Sequence, residues 1–197
     1  MDDENRRRLI RGVMCVAALI QVVVVLASLL ARRASAHYTV LRASALFGFV
    51  ALFWAIVSSE YVREMRKLLG RPYLTVHHAL TRVGWVLIML HPLSYAVLLR
   101  NASVLVPVFS PLDAFLKWAG RPALYLFLVA TLAAVLRSRS KRYWKYLHKL
   151  NYLGFLLVFV HSSLLGSDLK STGLRVVWAA MAAVVLLIGL HKGTGRR

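Results

Sequence analysis

The sequence of 197 residues contains a single cysteine, Cys15, and only seven acidic residues. One cysteine excludes a disulfide framework, a zinc or iron–sulfur site built from cysteines, and covalent haem attachment through a C-x-x-C-H motif. The acidic residues all lie outside the long apolar segments or at their ends. This placement argues against an intramembrane pathway that relays protons or coordinates cations.

Lysine and arginine together number 26, so the formal net charge is +19. A basic excess of this size is typical of nucleic-acid-binding proteins, whose basic faces neutralise phosphates. Here, however, 59% of the residues are hydrophobic, and the basic residues form short clusters between long apolar runs. This pattern excludes a nucleic-acid partner and intrinsic disorder, and it predicts a protein embedded in a lipid bilayer.

Six apolar segments approach or exceed the roughly 18 to 20 residues that a helix needs to cross a bilayer. They cover residues 9–31, 40–62, 75–99, 121–137, 147–166 and 174–191. Runs such as Val22–Leu26 are apolar on every side, whereas strands of a transmembrane barrel alternate apolar and polar residues. We therefore predict an all-α integral membrane protein: a six-transmembrane-helix bundle that forms a single domain over residues 1–197.

The first segment resembles a secretory signal, because three arginines precede it and the sequence Ala34-Ser35-Ala36 follows it. Its apolar run is longer than the usual core of such signals, which is about 7 to 15 residues. We therefore expect a helix that is not cleaved.

The basic residues predict the orientation, because cytoplasmic connections of membrane proteins are enriched in lysine and arginine. Seventeen of them fall at the N-terminus, in the second and fourth connections and in the C-terminal tail, and eight fall in the alternate connections. The last one, Arg82, lies inside the third segment. We expect a multi-pass protein of the cell membrane with both termini in the cytoplasm.

Five histidines lie in or beside two of the predicted spans: His77, His78 and His91 in the third, and His148 and His161 in the fifth. Ionisable residues at membrane depth are costly and indicate function. His77 and His91 are fourteen positions apart, about 21 Å along a helix, and His148 and His161 are thirteen apart, about 20 Å. The third and fifth spans run in the same direction across the membrane. We therefore expect His77 at the same depth as His148, and His91 at the same depth as His161.

Each level then offers two neutral imidazoles, which is the ligand set of a six-coordinate iron in non-covalently held haem b. A zinc site requires three or four protein ligands, and no cysteine or deep acidic residue is present to complete one. We therefore predict a haem-binding domain with two haem b groups, at two levels between the third and fifth spans.

Helical phase favours this ligand set on one helix only. Fourteen positions leave His77 and His91 about 40° apart, whereas His78 would lie about 140° from His91. The pair His148 and His161 is also about 140° out of phase. An irregular start of this helix, a distortion at Gly154 or haem approach from different flanks would each account for the difference.

The sequence resembles the ferric-reductase-like transmembrane domain, which iron reductases share with the membrane part of NADPH oxidases. The resemblance covers about residues 40–190 and rests on the spacings His77-x13-His91 and His148-x12-His161. The flanking sequences WKYLHKLNY (144–152) and HPLSY (91–95) support it. The chain is also similar to the haem-bearing membrane subunit of the periplasmic methionine sulfoxide reductase system.

The ferric-reductase resemblance implies that His77 and His148 ligate the inner haem, and His91 and His161 the outer one. It also implies an oxidoreductase component that passes electrons from a cytoplasmic reduced flavin to an outer-side acceptor. No glycine-rich nucleotide fingerprint follows a strand in this sequence. We therefore expect a separate flavoprotein reductase, or a membrane quinol, as the electron donor.

Three further residues are candidates for supporting roles. Arg82, about one turn after His77 and His78, is a candidate cofactor-binding cation for a haem propionate. Trp85 and Phe155 lie about midway between the two histidine levels. The alternative functions are electron delivery to a methionine sulfoxide reductase, a small transporter or channel with a polar path of histidines and Arg82, and a non-catalytic assembly subunit.

Overall fold

A computed structural model describes residues 3–60, 66, 73–139 and 142–193. No strand occurs among these residues, which confirms the all-α prediction. The α-helices are α1 (Asp3–Leu30), α2 (Ala36–Glu60), α3 (Tyr73–Leu99), α4 (Leu112–Lys117), α5 (Gly120–Val135), α6 (Trp144–His148), α7 (Leu150–Leu165) and α8 (Thr172–Gly193). Short 3-10 helices cover Ala102–Leu105 and Ser167–Lys170.

Four helices are long and apolar enough to cross a membrane: Glu4–Leu30, Ala36–Ser59, Leu74–Leu99 and Thr172–His191. They correspond to the first, second, third and sixth predicted spans. The fourth predicted span is α5, an apolar helix of only 16 residues. The fifth is divided into α6 and α7, of 5 and 16 residues. The backbone of Lys149 stays in the helical region, but its N–H donates to Tyr146 and its carbonyl accepts from Tyr152, each three residues away, which interrupts the α-helical hydrogen-bond pattern.

Part of the basic set that predicts the orientation lies outside the described residues. These positions are Arg63, Lys67, Arg71, Lys141, Arg196 and Arg197. The other basic residues of the fourth connection are described, and Arg139, Arg142 and Lys145 among them are exposed.

The chain divides into two compact units, Met1–His91 and Pro92–Arg197. The boundary falls inside α3, where Pro92 has no N–H to donate to the carbonyl of Ile88. In the first unit, the indole Nε1 of Trp54 in α2 donates to Oε1 of Gln21 in α1 at 2.7 Å. This hydrogen bond joins two apolar helices through polar side chains, as is common between transmembrane helices.

The core of the second unit lies where α7 packs between α5 and α8. Phe155 of α7 and Trp178 of α8 are almost fully buried. Gly154 makes room for the ring of Phe127 in α5, because a methyl group at Gly154 would lie 3.0 Å from Phe127 Cε1. Side-chain size at this crossing therefore sets the spacing of α5 and α7.

The connection between α3 and α5 is tied to its own unit by hydrogen bonds. Arg100 adopts a left-handed conformation, with φ of 51°, and ends α3. Tyr125 of α5 donates its hydroxyl to the carbonyl of Leu105 at 3.1 Å, and Arg121 donates to that of Val106 at 3.1 Å. Phe109, by contrast, remains 71% exposed.

The buried guanidinium of Arg42 gives a test of how α1 is held. It donates to the carbonyls of Ser28 and Arg32, at 2.9 and 3.2 Å, near the end of α1. We expect Arg42→Met to destabilise the protein by about 1–3 kcal/mol, because two hydrogen bonds from a buried charged donor are lost. The measurement is the thermal unfolding midpoint in detergent. Arg33→Met, at an exposed arginine between α1 and α2, is the control, and an equal effect of both substitutions would contradict the prediction.

Candidate functional site

The four histidines predicted as ligands share one structural feature. In each ring, Nδ1 lies within hydrogen-bond distance of a main-chain carbonyl oxygen of another helix in the same unit. The pairs are His77 with Ala55 at 3.0 Å, His91 with Leu41 at 3.1 Å, His148 with Ala130 at 3.1 Å and His161 with Lys117 at 2.7 Å. All four residues are half-buried.

These hydrogen bonds determine the tautomer of three of the rings, those of His77, His91 and His161. A carbonyl oxygen can only accept a hydrogen bond, so Nδ1 must carry the proton and donate it. In a neutral imidazole the lone pair available to a metal then resides on Nε2. Histidines that ligate metals usually donate their other ring N–H in this way, which fixes the ring and raises the basicity of the ligand.

In the first unit, both histidines donate to the same neighbouring helix. His77 and His91 of α3 are fourteen positions apart, and so are their acceptors in α2, Ala55 and Leu41. The order of the acceptors is reversed, so α2 and α3 run antiparallel at these positions. A single helix register therefore brings both imidazoles to their carbonyls.

Two glycines lie midway along this helix pair. Gly84 is seven positions from both histidines, and Gly48 is seven positions from both acceptors; seven positions are about two helical turns. A methyl group at Gly48 would lie 3.1 Å from a side-chain carbon of Ile88, and one at Gly84 would lie 3.2 Å from Leu52 Cδ2. The close approach of α2 and α3 thus depends on the absence of side chains at these two positions.

The second unit repeats the arrangement with a different spacing. His148 and His161 are thirteen positions apart, as are their acceptors Ala130 and Lys117. The interruption at Lys149 separates His148, in α6, from His161, in α7. Of the three explanations for the phase difference, the structure therefore shows an irregular start of the helix.

In each unit, one of the two histidines has a further polar side chain beside its ring. The buried hydroxyl of Ser58 lies 3.2 Å from Nδ1 of His77 and donates to the carbonyl of Ala55 at 2.9 Å. The side-chain nitrogen of Asn151 lies 3.3 Å from Nδ1 of His148. The oxygen of Ser58 can accept from a protonated Nδ1 of His77. The NH2 group of Asn151 can only donate, so the contacts of His148 with Ala130 and with Asn151 require opposite tautomers.

The other predicted site residues have different surroundings. His78 is exposed, with its ring centre 5.7 Å from that of His77. Arg82 is also exposed, and its Nε donates to the carbonyl of His78 in its own helix at 3.3 Å. Trp85 is half-buried in the first unit, and Phe155 is fully buried in the second.

The described residues contain no group of three or more histidine, cysteine, aspartate or glutamate side chains arranged to hold a metal ion. The site consists instead of single imidazoles, each with Nδ1 at a main-chain carbonyl. The residues that sequence reasoning missed are the four that supply the carbonyl acceptors and the glycines Gly48, Gly84 and Gly120. Only the equal spacing of the histidines on either side of Gly84 is visible in the sequence.

Comparison of the chain with protein-family models, with curated proteins and with solved structures gives no match. Function must therefore be argued from the histidines and their surroundings.

A substitution at Gly84 tests whether one close helix contact supports both histidines of the first unit. We expect Gly84→Leu to push α2 from α3 and to cost about 1–3 kcal/mol, because the added side chain overpacks the contact with Leu52. Gly84→Ala should have a smaller effect, since Leu52 needs to move only slightly. The measurement is the thermal unfolding midpoint in detergent.

The control is Gly12→Leu, because nothing lies within 4 Å of a methyl group at Gly12 in α1. This variant gains the same helix propensity without the clash. Equal midpoints for Gly84→Leu and Gly12→Leu would show that the contact at Gly84 does not hold the helices together.

Proposed function

We propose that this protein is a ferric-reductase-like transmembrane electron-transfer module that binds two haem b groups. His77 and His148 are the proposed axial ligands of the inner haem, and His91 and His161 those of the outer haem. The donor is a cytoplasmic flavoprotein reductase or a membrane quinol, and the acceptor lies on the outer side of the membrane.

The observation that carries the proposal is the common Nδ1–carbonyl hydrogen bond of the four histidines. A histidine that serves only packing can satisfy either ring nitrogen with any polar partner. Here all four rings, on three helices, bring Nδ1 to a main-chain carbonyl, and in His77, His91 and His161 this bond keeps the lone pair on Nε2. This is the state that an iron ligand requires, with the partner that orients it.

The donor set fits haem better than a bare ion. Imidazole nitrogen suits iron, and a porphyrin provides four equatorial nitrogens, so two histidines complete six coordination. A bound haem b supplies a one-electron couple of its iron. The residues of this chain contribute the axial nitrogens, their orientation and the apolar surroundings. Arg82, which is exposed on α3, is the proposed partner of a propionate.

The proposed topology has six spans and both termini in the cytoplasm of a cell-membrane protein. Four spans are the long apolar helices. The other two are α5, whose 16 residues rise about 24 Å, and α6 with α7, which together extend from Trp144 to Leu165. The length of α5 is less than the roughly 30 Å of the hydrocarbon core, a mismatch that local thinning of the bilayer accommodates. The exposed basic residues between α5 and α6 mark the proposed cytoplasmic face.

Haem content provides the decisive test. We expect the protein purified in detergent to show a b-type α-band in the dithionite-reduced minus oxidised spectrum, with two haems per chain. His77→Ala and His148→Ala should remove the same spectral component, and His91→Ala and His161→Ala the other, because each haem loses one axial ligand. Purified protein without haem would refute the proposal.

The matched control is His78→Ala, next to His77 on the same helix. His78 is exposed and about 140° from His91 around an ideal helix, so its replacement should leave both haems bound. Loss of a haem in His78→Ala but not in His77→Ala would reverse the ligand assignment.

A further inference from the structure

His161 differs from the other three histidines in the carbonyl that it uses. Its acceptor belongs to Lys117, the last residue of α4, and its hydrogen bond is the shortest of the four. Carbonyls inside a helix already accept an N–H from the residue four positions later, whereas carbonyls of the last turn lack that partner. The N–H of Arg121 donates to the carbonyl of Trp118 at 2.9 Å, and so does not occupy that of Lys117.

The imidazole of His161 also packs directly on Gly120, the first residue of α5. A methyl group at Gly120 would lie 2.9 Å from Cδ2 of His161, 3.1 Å from Cγ and 3.2 Å from Nε2. The shortest of these distances is closer than real side-chain contacts, so any side chain at position 120 requires the ring or the backbone to move. The ring is thus confined between a hydrogen bond at Nδ1 and a backbone contact at Cδ2.

Both constraints come from one short piece of backbone between α4 and α5, residues 117–121, which we call the 117–121 corner. Its shape is held by side chains of its own. The guanidinium of Arg121 lies 4.4 Å from the ring centre of Trp118 and donates to the carbonyl of Val106. Ala119 is fully buried. The corner therefore holds the carbonyl of Lys117 and the Cα of Gly120, which carries no side chain, at fixed positions.

We infer that Gly120 is a positioning residue for His161, and that the 117–121 corner sets the plane and the basicity of this haem ligand. The inference rests on the proposed function, because it concerns how one of the four proposed ligands is tuned. A strong hydrogen bond from Nδ1 makes Nε2 a better donor to iron. With haem bound at His161, the corner would thus stabilise the ferric form.

The substitution Gly120→Ala tests this role. The added methyl group forces the His161 ring to turn or to withdraw, and either movement lengthens the bond to Lys117. In the haem-loaded full-length protein, we expect the g-values of one of the two ferric haems to shift, since they depend on the orientation of the imidazole plane. We also expect the reduction potential of that haem to rise, because its ligand becomes less basic.

Two further variants identify the component and control for the substitution. His161→Ala should abolish the same spectral component that Gly120→Ala shifts. Gly173→Ala, where nothing lies within 4 Å of the added methyl group, should leave both haems as in the wild type. Unchanged g-values and potentials for both haems in Gly120→Ala would overturn the inference.

A second measurement does not depend on haem. In haem-free protein labelled with ¹⁵N-histidine, Gly120→Ala should shift the ring resonances of His161 and leave those of His148 unchanged. Arg121→Gln should shift the same resonances, because it removes the stacking on Trp118 and the bond to Val106; this variant serves if Gly120→Ala does not fold. Unchanged His161 resonances in the folded variants would overturn the inference, whereas wild-type protein that binds no haem would overturn the proposed function instead.

Discussion

The hydrogen bond from a histidine Nδ1 to a main-chain carbonyl of a neighbouring helix is the interaction on which the candidate site depends. It occurs four times, and each time it satisfies a polar atom in apolar surroundings and orients the ring. In His77, His91 and His161 it also selects the tautomer. An interior carbonyl such as that of Ala130 can serve two donors, because an oxygen has two lone pairs. The helix that receives the bond therefore keeps its own hydrogen bonds.

This interaction places a strict requirement on helix spacing. An imidazole reaches a backbone carbonyl of another helix only where the two backbones approach closely. In the first unit that approach is made by Gly48 and Gly84, and in the second by Gly120 and Gly154, each against a side chain of the facing helix. Small residues at helix contacts are a general device of membrane proteins, where packing rather than water exclusion holds helices together. Here they also determine how the histidines are presented.

The helices could be predicted from the sequence to within a few residues at most ends, because long apolar runs have few other solutions. The predicted segments 40–62 and 75–99 correspond to Ala36–Glu60 and Tyr73–Leu99. The interruption at Lys149 could not be located, since neither glycine nor proline marks it. The main-chain carbonyl that accepts from each histidine could not be predicted either. It depends on the register between two helices, which no local pattern encodes.

The two histidine spacings, of fourteen and thirteen positions, follow from different backbone constructions. In α3 one continuous helix carries both histidines, and fourteen steps return the second nearly to the face of the first. Thirteen steps would not do so in a continuous helix, and in the second unit both partners are interrupted. His148 and His161 lie on either side of Lys149, and their acceptors are separated by the start of α5 in the 117–121 corner. Because the helical pattern is interrupted both between the histidines and between their acceptors, the antiparallel register is kept. In an ideal helix one of the two histidines would face away from its acceptor, but here both keep their carbonyl partners.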